Sequence, residues 1–163
     1  MNELGLRREA LHLSSRIHPS EGKGLTIDAL YSVLGQAGIG LFKIDLKTGE
    51  SWVSDVWKTM LGLDADAPIL GQQEFLNRVH PEDLKIVEAA DTALISGQES
   101  KSKSVFRIRH EDGHWLWIQS DTGVSARDAE GRPAEISGAH IDVTAEKVAE
   151  EKSRANSFRY KVL

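Results

Sequence analysis

Apolar and polar side chains alternate most clearly between residues 105 and 120, and this pattern predicts a β-hairpin. Phe106 and Ile108 alternate with two arginines, which is the two-residue period of a strand with one buried face. The Asp112-Gly113 pair supplies the turn, because glycine readily adopts the positive φ angle that a tight turn requires.

The return strand of this hairpin carries apolar side chains on both faces. Trp115 and Trp117 share one face, and Leu116 and Ile118 share the other. A strand of this kind is typical of a sheet that is covered on both sides. We therefore expect an amphipathic helix, predicted over residues 3–17, to cover the sheet face that the other helices leave open, in the same chain or in a partner.

The rest of the chain predicts an α+β domain in which two strands precede a group of helices and three strands follow it. Thr26 and Ser54 are suited to cap helices at their N-termini. Pro81 is placed at the first position of the longest internal helix, with Glu82 and Asp83 at the positive end of its dipole. The predicted elements are helices at 26–36, 54–62, 72–79 and 81–97, strands at 39–45, 50–53, 105–109, 114–120 and 134–143, and a final helix from residue 144.

The chain divides into one domain and two flanking segments. The domain is predicted at residues 25–144, after an amphipathic helix and linker at 1–24. Residues 145–163 are predicted to be a helix that starts a coiled coil, because Val148 and Ala155 begin a seven-residue apolar repeat. We expect this helix to carry a signal out of the domain as one strand of a parallel homodimer.

Charge and composition narrow the functional classes. Residues 25–144 carry 11 basic and 19 acidic groups, which argues against a nucleic-acid partner, since such surfaces cluster Lys and Arg. The chain has no cysteine, so disulfides, thiolate metal sites, cysteine nucleophiles and cysteinyl photoadducts are excluded. It has no signal-peptide block and no apolar run near the roughly 20 residues of a membrane span. We therefore expect a cytoplasmic protein without direct membrane contact.

Several short phrases, taken together and in order, point to one family. Residues 79–83, Val-His-Pro-Glu-Asp, lead into the predicted long helix, and this phrase and its companions resemble the PAS family in the subtype that carries the PAC motif. The resemblance covers roughly residues 30–145. The other matching positions are 38–45, 53–54, 61–62, 75–76, 106–109, 112–113, 117–118, 128, 131–133, 136–138 and 142–144.

This resemblance implies a fold and a role. The fold would be a five-stranded antiparallel sheet with short helices and one long helix on one face, flanked by N-terminal and C-terminal helices. The role would be that of a non-enzymatic sensory module, without catalytic residues, that relays a signal to an output domain outside this chain. We expect that output domain to be a histidine kinase, with a diguanylate cyclase as the alternative. A ligand-free dimerisation module and a small metal-dependent enzyme are the other functions considered.

Any ligand is expected between the sheet and the long helix. The candidate lining residues lie on apolar stripes and are Phe42, Ile44, Val87, Phe106 and Ile108. The same residues would serve equally well in a closely packed core, so a filled core is the alternative.

Two residues at the end of the last strand are candidates for signal coupling. Asp142 and Thr144 resemble the exit motif of the family, where the last strand becomes a helix. We expect them to couple movement of the core to the orientation of that helix, with Thr144 also capping it.

The resemblance bears on cofactors as well. Some PAS domains bind haem through a histidine on the long helix, and residues 81–97 contain none. Photosensory relatives attach flavin or coumaroyl groups through cysteine, which this chain lacks. Haem and cysteinyl flavin are therefore disfavoured and no cofactor is predicted, while noncovalent flavin or a small organic ligand stays open. His140 fits a hydrogen-bonded strand residue better than a haem ligand.

Two groups of residues have metal-site chemistry. His80, Glu82 and Asp83 are explained by the start of a helix, where acids complement the dipole. His110 and His114 flank the hairpin turn and could chelate a metal, but two ligands without a third nearby make a weak site. No metal site is therefore predicted.

Overall fold

The computed structural model describes residues 25–161, and its centre is a five-stranded antiparallel sheet. The strands are β1 (Ile39–Asp45), β2 (Ser51–Val53), β3 (Lys101–Arg109), β4 (Trp115–Arg127) and β5 (Pro133–Asp142). Their order is β2-β1-β5-β4-β3, so β5 is central and β2 and β3 are the edges. The predicted α+β class and antiparallel sheet are confirmed. The helix predicted at residues 3–17 lies outside the described residues.

Five helices occur within the described residues. They are α1 (Ile27–Gln36), α2 (Asp55–Met60), α3 (Gln72–Arg78), α4 (Leu84–Ile95) and α5 (Thr144–Lys161). Of the described residues, 37–161 form one compact unit, and α1 belongs to another. As predicted, Thr26 caps α1, because its hydroxyl accepts from Ala29 N at 3.1 Å. Among residues 25–161, no helix has both the length and the apolar character needed to cross a bilayer.

One face of the sheet is covered by α2, α3 and α4. The predicted cap of α2 is confirmed, since the Ser54 hydroxyl accepts from Trp57 N at 3.3 Å. Gly40 of β1 lets α2 approach the sheet closely, because a Cβ atom there would lie 2.8 Å from Trp57 Cα. The buried core between the two layers consists of Trp57, Leu61, Val79, Val87, Phe106, Ile108, Leu116 and Ile118. Burial of one such side chain contributes about 1.5–3 kcal/mol, so these residues hold the helices on the sheet.

The start of α4 differs from the prediction. The helix begins at Leu84, and residues 81–83 form a turn, so Pro81 is not the first helical residue. The Asp83 carboxylate makes no capping bond to the helix. It accepts instead from Arg107 on β3. This cation lies 24 positions away in the sequence, so a prediction based on the helix dipole did not include it.

The segment before α4 runs along the outer edge of β3. Val79 and Ile108 form an antiparallel bridge, and His80 N donates to Arg107 O at 2.8 Å. Asp83 Oδ2 accepts from Arg107 N, also at 2.8 Å. The backbone N–H and C=O of Arg107, which an edge strand would leave unpaired within the sheet, are therefore both bonded.

The two faces of β4 differ in exposure. Leu116 and Ile118 are buried, with exposed fractions of 6% and 0%, whereas Trp115 on the opposite face is 39% exposed. On that opposite face, Trp117 lies beneath the guanidinium of Arg107, 5.1 Å from its ring centroid. Both faces of β4 thus carry large apolar groups, as the sequence predicts.

Candidate functional site

A cavity lies between the sheet and the covering helices. It offers about 70 Å³ to the centres of water-sized molecules, several times the roughly 10–15 Å³ that one water needs. Of the predicted residues, Phe42, Ile44, Val87 and Phe106 line this cavity. Ile108 is fully buried in the core but does not belong to the lining. The other apolar lining residues are Trp52, Val53, Trp57, Leu70, Phe75, Ala90, Leu94 and Ile136.

His140 of β5 is the most deeply buried titratable group at this cavity. Its Nδ1 accepts a hydrogen bond from Trp57 Nε1 at 2.9 Å, which places the ring proton of a neutral imidazole on Nε2. Burial lowers the pKa of His140 to about 3, so the side chain is neutral at physiological pH. His140 is therefore a hydrogen-bonded strand residue, as predicted, and its Nε2–H is a donor beside the cavity.

Aromatic rings surround this imidazole. The Phe42 centroid lies 4.7 Å from the His140 centroid, and the Phe75 ring stacks on His140 at 6.0 Å. Phe106 meets the imidazole edge-on at 5.8 Å, and Trp57 lies at 6.1 Å. Rings from α2, α3, β1 and β3 thus meet at one strand residue, so a change in the cavity would be felt by several elements.

A strip of hydroxyl groups forms the sheet side of the cavity. Ser102 and Ser104 of β3 lie opposite Thr122 and Ser120 of β4, and all four line the cavity. The hydroxyls of Ser120 and Thr122 are 3.1 Å apart. The sequence analysis missed these residues, although continuing the alternation of Phe106 by two and four positions arrives at the two serines. The strand pair is thus apolar at one end and polar at the other.

Asp91 is the one acidic side chain in the cavity lining. Burial raises the pKa of this carboxyl, and a hydrogen bond from Gln72 Nε2, at 3.5 Å, partly offsets that effect. Lys43 also borders the cavity, but its ammonium group pairs with Glu135 at 3.2 Å. Within residues 25–157, no basic side chain forms an ion pair with Asp91, so the cavity contains a partly buried carboxyl without a protein cation.

The exit from the last strand is built around Trp117. The Thr144 hydroxyl accepts from Trp117 N at 2.9 Å and donates to Asp142 Oδ1 at 2.5 Å. Val143 N donates to Trp117 O at 2.8 Å. The predicted capping role of the Thr144 hydroxyl is wrong, because its partners are the strand backbone and Asp142. The first residues of α5 are therefore attached directly to β4.

A second attachment joins the start of α4 to the same tryptophan. The buried Asp83 carboxylate accepts from Arg107 Nε at 2.9 Å, and this guanidinium holds the pKa of Asp83 below its usual range. Arg107 and, from α5, Lys147 both place their charges over the Trp117 ring, at 5.1 and 5.8 Å. A continuous set of contacts thus connects the helix beside the cavity to the C-terminal helix.

Comparison with known proteins identifies relatives of this chain. The family model described as the PAS fold matches residues 50–140. Two-component sensor PprA of Pseudomonas aeruginosa is 28% identical over 165 residues, which cover 98% of this chain and 17% of that protein. Sensor protein FixL of Bradyrhizobium diazoefficiens is 32% identical over 113 residues, or 69% of this chain and 22% of that protein. The chain spans about a fifth of the length of these two relatives.

Solved structures give the same result. The sensory box histidine kinase/response regulator from Burkholderia thailandensis matches with a TM-score of 0.69 and 25% identity, covering 82% of this chain and 98% of that one. The N-terminal domain of a diguanylate cyclase with PAS/PAC sensor from Marinobacter aquaeolei matches with a TM-score of 0.59 and 22% identity, covering 67% and 98%, a likeness of fold alone. Since the PAS-fold model matches more than half of the sequence and the sheet and helices have this architecture, the chain belongs to the PAS family.

Proposed function

We propose that this chain is a sensory PAS module that binds a small molecule in the cavity and relays its binding through α5 to an output domain of a longer protein. The cavity beside His140 carries the proposal, because a domain used for association alone has no need of polar groups around an internal space. A histidine kinase is the proposed output domain, supported by the name of the Burkholderia protein and by the sensor names of the Pseudomonas and Bradyrhizobium proteins. A diguanylate cyclase is the alternative, suggested by the Marinobacter protein.

The lining favours a small ligand with an apolar body and at least one hydrogen-bonding group. Phenylalanine and aliphatic side chains would hold the body, while the His140 Nε2–H and the hydroxyls of Ser104 and Ser120 would meet the polar group. The chain has no cysteine for a covalent flavin or coumaroyl attachment and no histidine on α4 to ligate haem, so neither kind of cofactor is proposed as the ligand. The proposed ligand is therefore bound without a covalent link.

The proposed relay uses the contacts around Trp117. A ligand that shifts α4 would move Asp83 and, through it, Arg107. Both Arg107 and Thr144 contact Trp117, so the start of α5 would respond. The proposed relay is thus a contiguous set of contacts from the helix beside the cavity to α5.

We further propose a parallel homodimer formed through α5. Val148 is 41% exposed and Ala155, seven residues on, is exposed as well, so this part of the apolar repeat is open to a second copy. The continuation of the repeat at residue 162 lies outside the described residues. We also propose a cytoplasmic location without nucleic-acid or membrane partners. This part of the proposal is supported by the sequence alone.

The test compares two alanines on α4. Ala90 lines the cavity, whereas its neighbour Ala89 is exposed. We expect mass spectrometry of tag-free protein to find one small molecule released from the wild-type chain and from Ala89→Leu, and none from Ala90→Leu, because the larger side chain fills the cavity. The absorbance spectrum should lack haem and flavin bands. Equal ligand content in both variants would place the molecule elsewhere, and its absence from all three proteins would support a ligand-free dimerisation module.

A further inference from the structure

The tip of the β3–β4 hairpin brings two histidines together. His110 N donates to His114 O at 2.9 Å, which closes a three-residue loop in which Gly113 has a φ of +99°. The two imidazole rings stack, with centroids 4.4 Å apart and planes 22° from parallel. Residues four apart in sequence thus present their ring nitrogens in one place.

The turn supplies a third ligand atom that the sequence argument lacked. Asp112 Oδ1 lies 2.9 Å from His110 Nδ1 and is in hydrogen-bond contact with His114 Nδ1. One ligand atom from each of the three residues lies within 4.8 Å of the others. Ligands held by one metal at about 2.0–2.2 Å are separated by distances of this order, so small side-chain rotations would complete the arrangement.

The tip is fixed to the helices by contacts of its own. The His110 ring packs over Gly62, where a Cβ atom would lie 2.3 Å from His110 Cε1. Glu111 N donates to Leu61 O at 2.9 Å, and the Glu111 carboxylate pairs with Arg78 at 2.7 Å. Two of the three candidate ligands therefore flank a residue anchored to α2 and α3, which lowers the entropic cost of ordering them.

The charge of the cluster suits a cation. Burial tends to raise the pKa of Asp112, but hydrogen bonds from His110 and His114 outweigh it, so the pKa lies below the ordinary value and the carboxylate is ionised. Two imidazole nitrogens and one carboxylate oxygen match borderline divalent ions such as Zn²⁺ and Ni²⁺. Mg²⁺ and Ca²⁺ prefer sets composed of oxygen ligands.

We propose that His110, Asp112 and His114 bind a divalent transition-metal ion of the zinc type, with the fourth coordination position open to solvent. None of the three residues lines the cavity beside His140, so this is a separate site. Coordination needs the lone pair of a ring nitrogen, so the ion would compete with protons and, at His110 Nδ1, with the Asp112 N–H that this atom now accepts at 3.3 Å. The proposal does not depend on the cavity having a ligand.

The experiment titrates ZnCl₂ into the full chain, purified without a histidine tag, by isothermal calorimetry. We expect one ion per chain, with Ni²⁺ also binding and Mg²⁺ not. His114→Ala, whose side chain is 53% exposed, and Asp112→Asn should each weaken binding at least about tenfold without unfolding the protein. His80→Asn is the matched control, because its amide oxygen can replace the Nδ1 atom that accepts from Glu82 N, and it should bind as the wild type does.

Imidazole resonances and pH dependence test the same site. Zn²⁺ should shift the imidazole ¹⁵N resonances of His110 and His114 and leave those of His80 and His140 in place. Binding should weaken as the pH is lowered, since a protonated imidazole cannot bind metal. Absence of binding, or binding that survives both variants or is lost in His80→Asn, would overturn the assignment.

Discussion

The indole Nε1 of Trp57 lies 2.9 Å from Nδ1 of His140, and this hydrogen bond joins α2 to the central strand inside the core. The two residues are 83 positions apart in the sequence, and both are buried. The bond therefore contributes to stability and also fixes which nitrogen of His140 can serve a ligand.

Trp57→Phe should destabilise the domain, because it leaves the buried His140 Nδ1 without its donor. We expect a loss of about 1–3 kcal/mol in the free energy of unfolding from the unsatisfied acceptor, with additional loss from the smaller ring. Urea denaturation measures this value. Trp52→Phe, at a side chain that is 41% exposed, is the control and should cost much less. Equal losses in the two variants would contradict the role of the bond.

Stability should fall below neutral pH because of His140. Its pKa is about 3 when folded and about 6.5 when unfolded, so the unfolded chain binds the extra proton between these values. The contribution is fully present above pH 6.5 and is lost as the pH falls towards 3, by up to about 1.4 kcal/mol per pH unit. Between pH 7 and 5 the wild type should lose about 2 kcal/mol more than His140→Gln, which keeps an acceptor for Trp57 but does not titrate. Parallel pH profiles in urea denaturation would refute this.

Asp83→Asn should be costly, whereas Glu82→Gln should be nearly silent. Asp83 is buried and accepts three bonds from Arg107, so its replacement leaves polar groups unsatisfied and should cost about 2–4 kcal/mol. Glu82 contacts the same guanidinium but is 75% exposed, and such pairs contribute about 1 kcal/mol or less. Thermal unfolding of both variants measures these losses of stability. A large loss in Glu82→Gln would contradict the smaller contribution expected of the exposed pair.

Thr144→Val should uncouple the cavity from the C-terminal helix. The valine keeps the shape of threonine but cannot accept from Trp117 N or donate to Asp142. Fused to a histidine kinase domain, the variant should bind ligand as the wild type does yet lose at least half of the ligand-dependent change in autophosphorylation. Thr144→Ser retains the hydroxyl and should respond normally, and so a failure of both variants would point to packing instead.

Spin labels can test the proposed dimer. In a parallel pair, the axes of the two α5 helices should lie about 8–10 Å apart, so labels at Ala155→Cys should be within roughly 20 Å of each other. Because the chain has no cysteine, a single substitution gives one label per copy. A label at Glu99→Cys, in the loop after α4, serves as the comparison and should be farther from its equivalent. Long separations at residue 155 would exclude the parallel arrangement.

The strands and helix caps could be predicted from the sequence because they depend on neighbouring residues. Ser54 caps α2 through a bond to a residue three positions away, and the apolar alternation at Phe106 sets one face of β3. The contacts that define the site are of another kind. Asp83 meets Arg107 across 24 positions, and no local pattern indicates this partner. Such pairs follow from strand order, which the sequence analysis left open.

The cluster at the hairpin tip was only partly predictable from the sequence. The sequence analysis identified His110 and His114 and lacked a third ligand, although Asp112 stands between them. In an alternating strand, residues 110, 112 and 114 would lie on one face. Because a turn was predicted at this point, the alternation did not identify Asp112 as a neighbour of the histidines. The tight loop, and not the strand period, brings the carboxylate to the imidazoles.

The bonds that residues 79–83 make to β3 also limit how copies of this domain can associate. Sheets join edge to edge through unpaired backbone groups, and those of Arg107 are already occupied by His80 and Asp83. The other edge, β2, has three residues and offers a short seam. Addition of a second copy is therefore blocked at Arg107 on one border and has a seam of only three residues on the other, which favours helices as the means of self-association.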